Sequence, residues 1–265
     1  MDLRAHRVDA LVLRAIAYGD SDAVVHLLVR GRGRISAFAR GARNSRKRFG
    51  GALEPFQRVE ALLAEREGQE LWALREARVV DGHGRLREDL GRIAHAGYAA
   101  ELIHELTRAG QPADALFALL EEFLSRLESG AASSARLRAL ELLALDAAGF
   151  APELAACARC GTQVPAGRAG FDPDAGGVLC AGCTGRATSL ALSHGARAAL
   201  QQLRIGGLGA ADAPTSADGS GRPAEPRAFE EACVQAQRPL RLFLQHHMGR
   251  SLRSAEFLAQ VGAPQ

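Results

Sequence analysis

Residues 8–41 read VDALVLRAIAYGDSDAVVHLLVRGRGRISAFARG. Three short runs in this stretch, Val8–Tyr18, Ala23–Arg30 and Arg34–Gly41, have interiors dominated by Val, Leu and Ile, in the apolar or alternating patterns of strands. Gly31-Arg32-Gly33 is a tight connection that suits a hairpin between the second and third. Two further strand-like runs, Phe56–Glu65 and Glu70–Val80, flank a turn at Glu67-Gly68. Five strands within residues 1–80 leave no room for crossover helices, which favours a small barrel over a parallel sheet. Among barrels of that size the OB-fold is the leading candidate.

Beyond that stretch the apolar period becomes helical. Leu86, Leu90, Ile93, Gly97, Ala100, Ile103 and Leu106 recur in steps of three and four. Gly110-Gln111-Pro112 stops that helix, and Pro112 can open another that buries Leu116, Leu120, Phe123 and Leu127. Ala135–Ala148 is apolar almost all round, as a central bundle helix would be. Helices are also expected over His194–Ile205 and Phe229–Met248, with Pro239 as a kink or restart. Residues 206–228, rich in Gly, Ala, Pro, Ser and Asp, read as a flexible loop. The expected architecture is α+β: an OB-fold barrel over residues 1–80, then a helical domain over 81–265 that carries a cysteine segment at 157–183.

That segment holds Cys157-Ala-Arg-Cys160 and Cys180-Ala-Gly-Cys183. Two Cys-x-x-Cys knuckles separated by such a gap predict one tetrahedral Zn²⁺ per chain, held by Cys157, Cys160, Cys180 and Cys183. Four thiolates fill the shell and leave no place for an activated water, so the ion is expected to be structural. Cys233, on an apolar helical face, reads as a small core residue.

Charge is unevenly spread. Residues 1–53 carry a formal +7 out of a total of +3 for the 265-residue chain, and no acidic residue occurs from Ala23 to Leu53. Arg30, Arg32, Arg34, Arg40, Arg43, Arg46, Lys47 and Arg48 therefore form a candidate track for a phosphate backbone. With only 5% aromatic residues, such binding should rest on phosphate contacts and show little sequence preference. Phe49 could stack on a base, whereas Phe38, Phe56 and Trp72 read as core. The single lysine, Lys47, sits outside any Gly-Lys-Ser/Thr loop, which excludes a Walker A ATPase. The adjacent pairs Glu121-Glu122 and Glu230-Glu231 read as solvated, and no catalytic motif is present, so no enzyme is expected. No run is long enough to span a bilayer and no signal-peptide stretch follows Met1, which predicts a cytoplasmic protein.

Several short pieces, in order, resemble the bacterial RecO family of recombination mediators. Tyr18-Gly19-Asp20-Ser-Asp22 resembles its Tyr-Gly-Glu-x-Asp turn, Phe38-Ala39-Arg40-Gly41-Ala42-Arg43 its Ala-Lys-Gly-Ala-Arg, and Leu53-Glu54-Pro55-Phe56 its Leu-Gln-Pro-Phe. Phe150-Ala151-Pro152, the two knuckles and His246-His247-Met248-Gly249 continue the match along nearly the whole chain. The resemblance implies a nucleoid-associated protein that binds single- and double-stranded DNA and anneals strands. It also implies work with RecR and the single-strand-binding protein, loading RecA indirectly. That coat protein's acidic, phenylalanine-ended tail would need an apolar slot beside arginines. Arg238, Arg241, Arg250 and Arg253 beside Leu240, Phe243 and Leu244 are the candidates. A zinc-ribbon regulator of transcription or a ribosome-associated factor is the competing reading.

Overall fold

The computed structural model describes residues 5–65, 70–184, 190–214, 224–262 and 264. The expected turn at Glu67-Gly68 lies outside them. Five strands, β1 (Ala5–Tyr18), β2 (Asp22–Val29), β3 (Gly33–Ala39), β4 (Arg58–Ala64) and β5 (Trp72–Asp81), form a closed barrel in the order β1-β2-β3-β5-β4. Pairing is antiparallel except between β3 and β5, and β1 pairs with both β2 and β4, which closes the circle. The alternation read from the sequence is the inside–outside alternation of this barrel. Val12, Val25, Leu27, Ile35, Val59, Leu63 and Leu74 fill its interior. A one-turn helix, α1 (Arg46–Phe49), follows β3. Its Phe49 is buried in the barrel core, so it is not a base-stacking residue.

A 3-10 turn at Gly84–Glu88 leads into α2 (Leu90–Leu106), which Asp89 caps by accepting from Arg92 N. Next comes α3 (Asp114–Ser129), which begins two residues beyond Pro112. The chain divides into two compact units, Met1–Gly130 and Ala131–Gln265. The first two long helices fall in the same unit as the barrel. Polar and aromatic contacts across the first unit, described below, are what join them.

The second unit contains α4 (Ser134–Ala147), a small sheet of β6 (Ala169–Asp172), β7 (Gly177–Leu179) and β8 (Leu190–Leu192), then α5 (His194–Asp212), α6 (Pro226–Met248) and α7 (Arg253–Gln260). Both ends of the expected loop at 206–228 are helical, and residues 215–223 of it lie outside the described residues. Helix α5 continues to Asp212 through Gly207, whose φ of 66° puts a kink in it, and α6 already starts at Pro226. Pro239 sits inside α6, which spans it as one element. Glu230 is not simply solvated. Its carboxylate accepts from Ser134 N and Ala135 N, satisfying otherwise unpaired donors at the start of α4. Among the described residues, no helix is long and apolar enough to cross a membrane.

Candidate nucleic-acid interface and metal centre

The structure separates the eight basic candidates into two groups. Arg40, Arg43, Arg46, Lys47 and Arg48 lie in the loop that leaves β3 and in α1, and all are exposed. Gly41 turns the chain with φ +64°, a conformation that suits glycine. The loop is then fastened to the β1–β2 turn: Gly41 N donates to Asp22 Oδ1 at 2.7 Å and Arg43 N to Ser21 O at 2.9 Å. The Gly41 hydrogen bond is also the main reason the Asp22 carboxyl is held below its ordinary range. Arg48 shapes the loop from within, donating to Arg40 O at 2.7 Å and Ser45 Oγ at 3.0 Å. Its guanidinium lies 5.0 Å from the Phe49 ring centroid. Arg40, Arg43, Arg46 and Lys47 are left pointing outward, with Arg43 reaching only the Asp20 carbonyl at 3.4 Å.

Arg30, Arg32 and Arg34 have other work. Arg30 donates to Asp9 at 2.9 Å and to Glu121 on α3 at 3.2 Å, and lies 4.2 Å over the Phe117 ring. Arg58 donates to the same two carboxylates, so Asp9, Arg30, Arg58 and Glu121 tie α3 to β1, β2 and β4. Glu121 is thereby a structural residue and not a solvated one. Burial alone would raise the Asp9 carboxyl, but hydrogen bonds from Arg58 and Arg30 outweigh it and hold that group low. Arg34 faces α2, donating to Thr107 O at 3.3 Å and lying 3.0 Å from His104 Nε2. Arg32 is half-buried between His6 and Trp72. Sequence spacing placed these arginines beside the loop, but the helices that occupy Arg30 and Arg34 come 70 to 91 residues later.

The four cysteines converge. Each offers a sulfur, and the four Sγ atoms lie within 4.8 Å of one another, with Cys160 and Cys180 3.7 Å apart. None forms a disulfide. This cluster could hold a metal ion. The knuckles are shaped by their own backbone, as Cys157 N donates to Thr162 O at 2.8 Å and Gly161 N to Cys157 O at 2.8 Å. Hydrogen bonds from backbone N–H groups, led by that of Cys180, bring the Cys157 thiol down to about 6. Cys183, hydrogen-bonded to Cys160, Cys180 and Cys157, is pushed up to about 12. Cys233 is buried apart from them, as its apolar setting suggested, and burial pushes its thiol up to about 12.

One residue that organises this centre was not evident in the sequence. Arg197 on α5, only 6% exposed, donates to the carbonyls of Leu154, Ala155, Val164 and Pro165 at 2.7–3.1 Å. It thus clamps the chain on both sides of the first knuckle. A buried arginine without a carboxylate hydrogen bond has no spacing signature, because its acceptors are main-chain atoms. A second titratable cluster joins the end of the barrel to α3, where His83 Nδ1 lies 3.2 Å from Glu128 and 3.6 Å from Asp81.

The apolar residues expected to line a slot on α6 are part of the core. Leu240, Phe243 and Leu244 are each at most 1% exposed, because their spacing forms the buried stripe of an amphipathic helix. Phe243 packs edge-on against Phe171 and against His247. Arg238, Arg241, Arg250 and Arg253 are exposed. His246 does find a carboxylate, Asp174 at 3.0 Å, which comes from the loop after β6.

Comparison with known proteins covers almost all of the chain. The family model described as Recombination protein O N terminal matches residues 1–83, and Recombination protein O C terminal matches 87–256. The protein named DNA repair protein RecO from Anaeromyxobacter sp. (strain K) is 50% identical over 257 residues, 97% of this chain and 96% of that protein. Those of the same name from Myxococcus xanthus and Geobacter sulfurreducens are 41% and 37% identical, each across 96% of this chain.

Proposed function

The chain belongs to the RecO family, and on that premise we propose that it is a non-enzymatic DNA repair and recombination mediator. It binds single- and double-stranded DNA through the outward cations of the β3–α1 loop, Arg40, Arg43, Arg46 and Lys47. It anneals complementary strands and, with RecR, helps load RecA onto strands coated by single-strand-binding protein. The observation that carries DNA binding is the loop itself: four exposed cations on a segment hydrogen-bonded to the β1–β2 turn, within a stretch free of acidic residues. Such an array meets phosphates with little loss of backbone freedom and carries no information about base identity. Arg30 and Arg34, which hold the helices, and Arg32, seated between His6 and Trp72, are not assigned to DNA. The exposed arginines Arg238 and Arg241 on α6 remain the proposed contacts for the coat protein's acidic tail.

The metal is proposed to be Zn²⁺ and its role structural. A tetrahedral Zn–S shell of about 2.3 Å places its sulfurs about 3.8 Å apart. The 3.7 Å separation of Cys160 and Cys180, inside a cluster spanning no more than 4.8 Å, fits that shell. Cys157, Cys160, Cys180 and Cys183 would hold the ion, fastening the two knuckles to each other.

The test is a comparison, at one fixed salt concentration, of affinity for random single-stranded DNA, random duplex DNA and RNA, together with annealing of complementary strands. Binding to many DNA sequences alike, with annealing that is lost in Arg43→Glu/Arg46→Glu, supports the assignment. Selection of one duplex sequence, or of RNA over DNA, overturns it.

A further inference from the structure

The outer face of β1–β3 should be solvated and polar, since the inner face supplies the barrel core. Part of it is not. Tyr18 is 61% exposed and Ile16 37%, and both lie on that face with half-buried Val24 and Phe38. The register places them together: Ile16 pairs with Val24, Tyr18 with Asp22, and Val24 with Phe38. Tyr18 and Phe38 meet edge to face, with ring centroids 5.7 Å apart and planes at 81°. Phe38 was expected in the core, but its position in the alternation of β3 sends it outward, between buried Ala37 and Ala39.

This apolar strip runs up to the basic loop. Asp22, opposite Tyr18 in the ladder, accepts from Gly41 N, and Ser21 O accepts from Arg43 N. The segment carrying Arg40 and Arg43 is therefore fixed beside the aromatic pair. At the other end of the strip is Arg14, exposed and paired with His26. Aromatic rings bounded by cations match one ligand chemistry: unpaired bases attached to a phosphate backbone. A duplex hides the faces of its bases in its own stack and offers only phosphates here.

We propose that Tyr18, supported edge-on by Phe38, is a base-stacking platform for single-stranded DNA. The adjacent loop holds the phosphates of the same strand. Stacking occupies the face of a base and leaves its hydrogen-bonding edge open, so a strand held this way can still pair with its complement. The proposal rests on the reading of the loop as a DNA site and deepens it, adding a preference for unpaired bases.

The experiment uses the full chain and four probes: an oligothymidylate, the same length with abasic residues, a random duplex, and the protein alone in sedimentation. Tyr18→Ala should weaken binding to oligothymidylate by about 5- to 140-fold, the value of one lost base–aromatic stack. It should leave binding to the abasic strand and to the duplex unchanged, and Tyr18→Phe should restore wild-type affinity. Because Tyr18 is exposed, unchanged duplex binding also reports a folded variant. Arg43→Glu should weaken binding to all three nucleic acids. If the wild type binds DNA but Tyr18→Ala is indistinguishable from it on oligothymidylate, the platform is refuted and the loop assignment stands. If Tyr18→Ala alters self-association while DNA binding is unchanged, the strip is an interface between copies and the proposal is wrong. If the wild type binds no DNA, the loop assignment fails and the platform with it.

Discussion

Replacing Arg197 by methionine removes the guanidinium while keeping most of its apolar stem. The wild-type side chain donates to Leu154 O at 2.7 Å, Pro165 O at 2.8 Å, Val164 O at 2.8 Å and Ala155 O at 3.1 Å. Two of these acceptors keep another donor, since Gln201 Nε2 reaches Leu154 O at 2.8 Å and Val164 N reaches Ala155 O at 3.0 Å. The carbonyls of Val164 and Pro165 lose theirs. At about 1–3 kcal/mol for each buried polar group left unpaired, the loss is about 2–6 kcal/mol. Relief from burying a cation offsets part of this, and burial does push the Arg197 pKa down. A net cost of about 2–4 kcal/mol corresponds to about 30- to 700-fold more frequent opening of the segment, at 1.4 kcal/mol per decade. The assay is the rate at which a thiol reagent modifies Cys157 in metal-free, reduced protein, because Cys157 is buried and must wait for opening. Arg197→Lys, a point charge that cannot span four acceptors, should fall between the two. A rate for Arg197→Met within about threefold of wild type would refute the clamp.

Gly33→Ala should cost more than Gly31→Ala although both residues have positive φ, +69° and +73°. At Gly33 the added Cβ would lie 1.7 Å from Gln111 O, whereas at Gly31 nothing is within 4 Å. The second variant should lose about 1–2 kcal/mol in urea unfolding from left-handed strain alone, and the first clearly more. Acid should destabilise the barrel unit through His26, brought down to about 4 by burial first and then by His104, Arg14 and Arg34, and through His104, also lowered mainly by burial. Since the folded pKa values lie below the ordinary 6.5, this contribution is complete above 6.5 and is lost as pH falls toward and through about 4. Melting temperatures of wild type and His26→Gln should therefore converge or cross over that window. Elemental analysis should give one zinc per chain, lost in Cys160→Ser with increased thiol exposure at Cys157. Metal-free wild type with equal stability would contradict the structural role.

The barrel was legible in the sequence because a closed sheet has one dry face, and Val25, Leu27, Ile35 and Ala37 record it residue by residue. The cysteine cluster was legible because two knuckles need only local turns and one return of the chain. The helices α2 and α3 had the right period, but nothing in it told which body they would join. That depends on Arg30, Arg34 and Arg58 meeting Glu121, Thr107 and His104 across the fold. The same contacts engage two arginines of the expected DNA track, Arg30 and Arg34, while Arg32 is taken up by His6 and Trp72. On α6 the arginines and the apolar stripe were adjacent in sequence but differ in burial: Arg238 and Arg241 are exposed, whereas Phe243 and Leu244 are core. The strands β6, β7 and β8 have only three or four residues each, too few for a period to register.

The most direct measurement is the salt dependence of binding to a single-stranded oligonucleotide. Four phosphate contacts, from Arg40, Arg43, Arg46 and Lys47, give an expected slope of log Kobs against log salt of about −2.8, at about 0.7 per contact. Each single alanine variant in that set should reduce the magnitude by about 0.7. Folded Arg30→Met should keep the wild-type slope, because that guanidinium is occupied by Asp9 and Glu121. A slope untouched by the four loop variants, or one reduced in Arg30→Met, would contradict the assignment of this loop as the DNA-binding element.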